Sequence, residues 1–164
     1  PHLREQKFGR VVVATSTSGL YGNFGQANYG AAKLGLVGLM KTLKIEGAKN
    51  DIRVNVISPI AATRMTENLM PPEMQEKLKP EFVTPGVVYL VSADGPSGEI
   101  LTAGAGVFSV ARIFETDGAY LGEGGLSAEE VAANWEKIAD PSRQAAYVGG
   151  GEQTQKFLRM MSGS

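Results

Sequence analysis

The sequence contains no cysteine, and its single histidine is His2, near the start of the chain. The absence of cysteine excludes disulfide bonds, iron–sulfur clusters, thiolate zinc sites and cysteine nucleophiles. One histidine near a terminus argues against a Ser-His-Asp triad or a multi-histidine metal site, so we predict no metal site. No apolar run approaches the roughly 18 residues of a transmembrane helix, and no signal segment opens the chain.

Neither sign of charge is in excess, because 16 Lys and Arg residues face 17 Asp and Glu residues. This balance argues against a broad nucleic-acid surface and against binding to charged membrane surfaces. Hydrophobic residues make up 43% of the chain, which is enough for a core, and 164 residues suit one domain. We therefore expect a globular protein of the cytoplasm that binds neither nucleic acid nor membranes.

Glycine is abundant, with 21 of the 164 residues, where an average chain has about 7%. The glycines follow no Gly-X-Y period, which excludes a collagen-like structure. They cluster between apolar segments, as in a fold with many tight turns or close backbone approaches.

The first third of the chain has the pattern strand, helix, strand. Arg10–Thr15 is a short β-branched run, typical of a strand buried on both faces. Tyr29–Lys49 is the longest periodic segment, and Ile52–Ile57 is a second β-branched run. The apolar residues at helical spacing in the middle segment are Leu36, Leu39, Met40 and Leu43.

Shorter elements are predicted in the remainder of the chain. The predicted helices are Pro71–Leu78, Thr84–Val91 and a capped helix from Ser127 to Ile138, with a short strand at Glu99–Ala103. The glycine-rich segment 104–125 receives no assignment. We expect one domain over residues 1–140 and a flexible tail over 141–164, which contains three consecutive glycines.

This element order predicts an α/β fold with a parallel sheet and right-handed crossovers. Ligands of such sheets bind outside the carboxyl ends of the strands. The loops Ser16–Asn28 and Ser58–Met70 each follow a predicted strand. We therefore expect both loops at the same edge of the sheet.

Three side chains in this region could transfer a proton: Ser16, Tyr29 and Lys33. The spacing of Tyr29 and Lys33 places them on one helix face. A phenol of ordinary acidity is a poor base at neutral pH, and both a nearby ammonium and a helix N-terminus favour the phenolate. A serine hydroxyl beside them could hold the oxygen of a carbonyl or alcohol. A tyrosine and lysine at this spacing occur by chance in many helices, so the prediction rests on the combination.

The residues around this set resemble the short-chain dehydrogenase/reductase family. Twelve residues separate Ser16 from Tyr29 in the segment ATSTSGLYGNFGQANYGAAK, which matches the family signature S-x12-Y-x3-K. Gln26, Asn28 and the later segment DIRVNVISP match as well. The resemblance covers at least Phe8–Met70 and implies a Rossmann-type, doubly wound parallel sheet.

One branch of the family is especially similar: the (3R)-hydroxyacyl-CoA dehydrogenase domain of peroxisomal multifunctional enzymes and its bacterial relatives. The segments that carry this likeness are SPIAATRMT and EEVAANWEKI, and the likeness extends from Pro1 to about Asp140. It implies oxidation of a secondary alcohol to a ketone with NAD, or NADP as the second choice. The implied substrates are (3R)-hydroxyacyl-CoA or a hydroxysteroid, and a eukaryotic source would imply the peroxisome.

Two other interpretations remain open. The first is a reductase of 3-oxoacyl-carrier-protein that uses NADPH. The second is an inactive fragment that acts only as an association module through its long helix.

The resemblance also implies residue roles. Tyr29 would be the catalytic acid and base, Lys33 would bind the nicotinamide ribose and favour the phenolate, and Ser16 would bind the substrate oxygen. The cofactor would also lie along the loop after the second strand, at Pro59, Ile60, Ala61 and Thr63. Ile60 stands where most of the family has glycine, and this loop is one residue shorter than usual.

The family's TGxxxGxG segment, which holds the cofactor pyrophosphate on a helix N-terminus, does not occur in the sequence. The resemblance therefore covers only the C-terminal part of the fold, with the N-terminal nucleotide-binding half absent. We expect the isolated chain to be poorly stable, because a central strand would lose one neighbour. We also expect weak cofactor binding, because the contacts to the adenine and the phosphates would be missing. In the full-length parent, the resemblance implies a homodimer or homotetramer packed through the long helix.

Overall fold

The computed structural model describes residues 1–62, 71–122, 124 and 127–163. These divide into two units, Pro1–Ala111 and Arg112–Ser164. The sequence analysis places its boundary at residue 140 instead. The flexibility of 141–164 stays a prediction, although this segment holds a helix in the structure.

The first unit is a four-stranded sheet with helices on both faces. The strands lie in the order β1-β2-β3-β4; the first three are parallel and β4 is antiparallel to β3. This arrangement confirms the predicted α/β fold and adds an antiparallel strand in a segment that received no assignment. The elements are α1 (His2–Glu5), β1 (Gly9–Ala14), α2 (Thr17–Tyr21), α3 (Ala27–Gly47), β2 (Ile52–Pro59), α4 (Pro72–Lys77), α5 (Thr84–Leu90), β3 (Ile100–Gly104) and β4 (Val107–Ala111).

Strand β2 lies at the centre of this sheet, between β1 and β3. Five consecutive residues of the strand, 54–58, are buried. Val54 and Val56 pack in the cluster that contains Met40 of α3, whereas Ile57 packs in the cluster that contains Leu90 of α5. A strand covered on both faces has a continuous apolar run rather than an alternating one.

Asn55 is the polar exception within this run, and it is fully buried. Its side-chain Nδ2 donates to the carbonyl of Pro96 over 2.7 Å, and its Oδ1 accepts from the backbone N–H of Glu99 over 3.1 Å. These bonds fasten β2 to the segment that leads into β3. Sequence analysis did not single out this residue, because one asparagine in a β-branched run gives no sign of its partners.

A cluster of charged residues holds the amino-terminal ends of β1 and β2 together. Arg10 leaves only 5% of its side chain exposed, and its Nη2 lies 3.1 Å from Oδ2 of Asp51. Arg53 donates from Nε to the other carboxylate oxygen, also over 3.1 Å. The hydrogen bond from Arg10, followed by that from Arg53, holds the pKa of Asp51 below its usual range.

The second unit consists of short elements and one longer helix. Gly149 precedes the longer helix, α8 (Gly150–Ser162), and Gly163 ends it with a φ of 70°. The prediction of one capped helix from Ser127 to Ile138 is wrong in one respect. The structure has two short helices here, separated at Asn134. The elements are β5 (Glu115–Thr116), α6 (Ala128–Ala133), α7 (Trp135–Ile138), β6 (Gln144–Ala145), which pairs with β5, and α8 (Gly150–Ser162).

A buried lysine attaches α8 to β5. Lys156 donates from Nζ to Oε1 of Glu115 over 2.8 Å and to the carbonyl of Thr116 over 2.6 Å. Burial acts to lower the pKa of Lys156, but the interactions with Glu115 and Tyr147 together outweigh burial and the pKa is raised. Within the described ranges of the chain, no helix is both long and apolar enough to cross a membrane.

Replacing Asn55 with leucine should destabilise the protein. The N–H of Glu99 and the carbonyl of Pro96 would each lose the hydrogen bond to the Asn55 side chain, and removing one partner of such a bond costs about 1–3 kcal/mol. The free energy of unfolding in urea measures the change. Asn23→Leu is the control, because Asn23 is exposed. An Asn55→Leu midpoint equal to that of the control would contradict the structural role.

Replacing Asp51 with asparagine should remove part of the dependence of stability on pH. The pKa of Asp51 is lower in the folded state, so its stabilisation is full above the ordinary carboxyl range and disappears as the pH falls below it. Asparagine tolerates the left-handed φ of 48° at this position, so the substitution removes the charge and one acceptor oxygen without adding backbone strain.

Urea midpoints of wild type and Asp51→Asn should therefore differ at pH 7 and converge at acid pH. Asp94→Asn, at another exposed aspartate, is the control variant. A constant difference between wild type and Asp51→Asn at every pH would show that the carboxylate charge is not the cause.

Candidate functional site

The carboxyl ends of β1 and β2 lie side by side, because the strands are parallel and Ala14 is in register with Ile57. The N–H of Thr15 donates to the carbonyl of Ile57 over 2.8 Å and extends the pairing by one residue. Ser16 follows directly, and Pro59 ends β2. The two loops expected at one edge of the sheet therefore begin there, where ligands of parallel sheets bind.

Ser16 is the N-cap of the short helix α2. Its Oγ accepts from the backbone N–H of Ser18 over 3.2 Å, and its backbone is extended. The prediction of a loop from Ser16 to Asn28 is wrong over Thr17–Tyr21, where this helix forms. A serine that can cap a helix was the one signal of this helix in the sequence, because five residues are too few to show helical periodicity.

Tyr29 and Lys33 lie one turn apart near the start of α3. The Lys33 ammonium is 5.7 Å from the centre of the Tyr29 ring, and the tyrosine is 43% exposed. Lys33 also donates from Nζ to the carbonyl of Ala14 over 3.0 Å. The structure thus places an ammonium between the tyrosine and the end of β1.

The element that carries Ser16 contacts the helix that carries the other two residues. The hydroxyl of Thr15 donates to the backbone carbonyl of Lys33 over 2.7 Å. One turn further, the hydroxyl of Ser18 donates to Oε1 of Gln26, the residue before α3 begins, over 2.7 Å. Ser16 therefore lies between two side chains that fasten its segment to α3.

The other predicted site residues are the last residue of β2 and residues of the loop that follows it. Pro59 and Ile60 are exposed and Ala61 is half-buried. The N–H of Ile60 donates to the carbonyl of Ala103 over 2.7 Å, and that of Ala62 donates to the carbonyl of Leu78 over 2.7 Å. These two amides are thus already bonded within the protein. Thr63, the fourth predicted residue of this loop, lies outside the described residues.

A shallow apolar groove of about 380 Å³ adjoins this loop. Among the described residues of its lining, Thr84 is the one polar residue, so the groove suits a flat or apolar group better than a charged one. The lining residues are Pro59, Ala61, Pro80, Val83, Thr84, Val87 and Val88.

Ser58 is a buried polar residue at the same edge that sequence analysis did not identify. Its Oγ has no hydrogen-bond partner among the described residues. Ser58 is in register with Thr102 of β3, and its neighbour Ile57 receives the N–H of Thr15. A buried hydroxyl of this kind is commonly satisfied by an ordered water.

A separate cavity of about 530 Å³ lies within the second unit. Its charged groups have partners, since Lys156 binds Glu115 and Asp117 binds Arg143. Its remaining lining is mainly apolar. In the part of the chain that the structure describes, no cluster of three His, Asp or Glu residues could hold a metal ion.

Comparison with known proteins gives a consistent family match. The family described as short chain dehydrogenase matches residues 1–74. A short-chain type dehydrogenase/reductase of Mycobacterium tuberculosis is 54% identical over 143 residues, which is 87% of this chain and 50% of that protein. Peroxisomal multifunctional enzyme type 2 of Mus musculus is 46% identical over 142 residues, 85% of this chain and 19% of that protein.

A solved structure has a similar fold over nearly the whole chain. Full-length peroxisomal multifunctional enzyme type 2 from Drosophila melanogaster superposes with a TM-score of 0.88 and 32% identity. The superposition covers 99% of this chain and 30% of that one. The chain thus spans half or less of the length of these relatives.

Replacing Gly104 with alanine should disturb the loop after β2. An added Cβ would stand 2.5 Å from the Ile60 carbonyl oxygen and 2.8 Å from the Ile60 Cβ. We expect a loss of about 1–3 kcal/mol in the free energy of unfolding and faster hydrogen exchange at the Ile60 amide.

Gly151→Ala is the matched control, because nothing lies within 4 Å of a Cβ added there and alanine favours the helix. Wild-type stability and wild-type exchange in Gly104→Ala would refute the close contact.

Proposed function

The chain belongs to the short-chain dehydrogenase family, and on that premise we propose that it carries the proton-transferring residues of an oxidoreductase interconverting a secondary alcohol and a ketone. The observation that supports this most is the contact between the end of β1 and the first turns of α3. It brings the segment of Ser16 against the helix of Tyr29 and Lys33.

In this proposal each residue of the set has one chemical task. The Tyr29 phenol exchanges a proton with the substrate hydroxyl, as a general base in oxidation and a general acid in reduction. The Lys33 ammonium, 5.7 Å from the centre of the Tyr29 ring, would donate hydrogen bonds to the cofactor ribose. The Ser16 hydroxyl donates a hydrogen bond to the substrate oxygen and orients it toward the phenol.

The residues present fit the nicotinamide end of a dinucleotide. An ammonium has three N–H groups, and the bond to Ala14 uses one of those on Lys33, so a ribose diol would find donors there. Pro59 and Ala61 line the apolar groove, which suits a flat ring. Such a cofactor supplies the acceptor or donor of the hydride. Ile60 and Thr63 complete the proposed cofactor set, with NAD favoured over NADP by the branch likeness.

We infer that (3R)-hydroxyacyl-CoA is the substrate class, with a hydroxysteroid as the second choice. The first support is the 46% sequence identity to peroxisomal multifunctional enzyme type 2 of Mus musculus over 85% of the chain. The second is the structural similarity to the Drosophila melanogaster enzyme of the same name. We propose a cytoplasmic location, or a peroxisomal one if the source is eukaryotic; the peroxisomal relatives are compatible with the second.

We also propose self-association through α3, as a homodimer or homotetramer. This helix leaves Leu34, Leu39 and Ile45 about half exposed. Gly35 and Gly38 lie on the same helix, and nothing stands within 4 Å of a Cβ added to either. Exposed apolar side chains beside glycines allow two helices to approach closely.

The decisive experiment assays the protein, expressed from its complete reading frame, with NAD and (3R)-hydroxyacyl-CoA. Tyr29→Phe removes the phenol hydroxyl and should lower kcat by about 10²- to 10⁴-fold, the range of acid–base catalysis. Tyr89→Phe, on the exposed side of α5, is the control and should retain wild-type turnover.

Parallel assays distinguish the alternatives. If the protein turns over 3-oxoacyl-carrier-protein with NADPH but does not turn over hydroxyacyl-CoA, the proposed substrate is wrong and the protein is the carrier-protein reductase. If the protein self-associates but shows no turnover and binds no NADH, the result favours the association module. Full turnover by Tyr29→Phe would exclude Tyr29 as the acid and base.

A further inference from the structure

The relative position of Ser16 and Tyr29 depends on how α3 docks against the end of β1. Tyr29 and Lys33 are on one helix, so the helix itself sets the distance between them. Ser16 is on a different segment, between β1 and α2. The contacts between that segment and α3 therefore decide whether a substrate oxygen can reach both Ser16 and Tyr29.

Of the three consecutive residues Ala14 to Ser16, the first two contact α3. The carbonyl of Ala14 accepts from the Lys33 ammonium over 3.0 Å. The Thr15 hydroxyl donates to the Lys33 carbonyl over 2.7 Å, and Thr15 is 3% exposed. Thr15 thus holds the backbone of Lys33, and Ala14 holds the end of its side chain. The next residue in the chain is the candidate serine, Ser16.

The bond from Thr15 is additional to the helical hydrogen bonding of α3. A helical carbonyl already accepts the N–H four residues later, and its second lone pair is available. Thr15 uses that lone pair of Lys33 while its own N–H is bonded to Ile57 of β2. One side chain therefore joins the turn of Lys33 to the paired strands.

Gly19 sets the distance of closest approach on the other side of Ser16. A Cβ added to Gly19 would stand 2.8 Å from the Lys33 Cβ and 3.0 Å from the backbone nitrogen of Leu34. Gly30 has a similar contact, because its added Cβ would stand 3.1 Å from the carbonyl of Ser18. Helices α2 and α3 thus meet through glycines, and a larger residue at position 19 would push them apart.

We propose that Thr15 and Gly19 are positioning residues that fix Tyr29 and Lys33 relative to Ser16. The proposal rests on the proposed function, since it assigns how the reacting groups are aligned rather than what they do. Thr15 pulls α3 toward the end of β1 through a hydrogen bond, and Gly19 permits the short distance that this bond requires.

The first arm of the test measures the contact without any assay of activity. Thr15→Val keeps the shape of the side chain and loses the hydroxyl, whereas Thr15→Ser keeps the hydroxyl. Amide hydrogen exchange in the turn Leu34–Val37 should quicken in Thr15→Val and stay at the wild-type rate in Thr15→Ser. Equal exchange in all three proteins would overturn the proposal, whatever the enzyme does.

The second arm measures kcat and KM for the hydroxyacyl-CoA substrate with NAD. Thr15→Val should lower kcat about 10- to 100-fold per folded molecule, the usual loss from a misplaced reacting group, while KM changes little. Thr15→Ser should restore kcat. Thr17→Val is the control, since Thr17 is exposed on α2 and should keep wild-type kcat.

A double-variant cycle separates alignment from general stability. If Thr15 acts by aligning Ser16 with Tyr29, Thr15→Val should cost little once Ser16→Ala has removed the aligned hydroxyl. Multiplicative losses in the double variant would overturn the alignment role. Gly19→Ala should lower kcat in the same way, with its folded fraction determined from a thermal melt.

The two arms distinguish failure of this proposal from failure of the proposed function. If the wild-type protein shows no turnover, the proposed function fails and the exchange arm still decides whether Thr15 holds the turn. If turnover is present but Thr15→Val retains full kcat, the proposed function stands and the positioning role fails.

Discussion

The burial of β2 on both faces is the constraint on which the first unit depends. Helix α3 covers one face and α5 the other, so β2 cannot shift along its neighbours without exposing one of two apolar clusters. Asn55 adds a directional bond to the chain ahead of β3. With β2 fixed, the end of β1 is fixed beside it by their parallel pairing, and the candidate site occupies the edge where both strands end.

The fold could be predicted where the signal lay within a few neighbouring residues. The β-branched runs at Arg10–Thr15 and Ile52–Ile57 predicted β1 and β2 to within two residues. Strand β4 was not predicted because its residues, VFSVA, show no apolar–polar alternation and lie within a glycine-rich segment. Helix α8 escaped because it begins with two glycines, which are poor helix formers.

The site could be predicted as a set of residue types but not as a geometry. The spacing of Tyr29 and Lys33 within one helix, and the family signature around Ser16, need only the sequence. The bond from Thr15 to Lys33 joins residues far apart in the chain and depends on how a helix docks on a strand. No local pattern contains that information, nor does one reveal that Ser58 is buried with a hydroxyl that has no partner within the described part of the chain.

The charged cluster of Arg10, Asp51 and Arg53 lies at the opposite edge of the sheet from the candidate site. A strand of this length separates the two edges by about 20 Å. The ion pairs that hold the sheet together and the loops of the candidate site therefore lie at different ends of the same strands. Loops at the reactive end can diverge in evolution without loosening the frame, so one scaffold can acquire new substrates while its folding requirements stay the same.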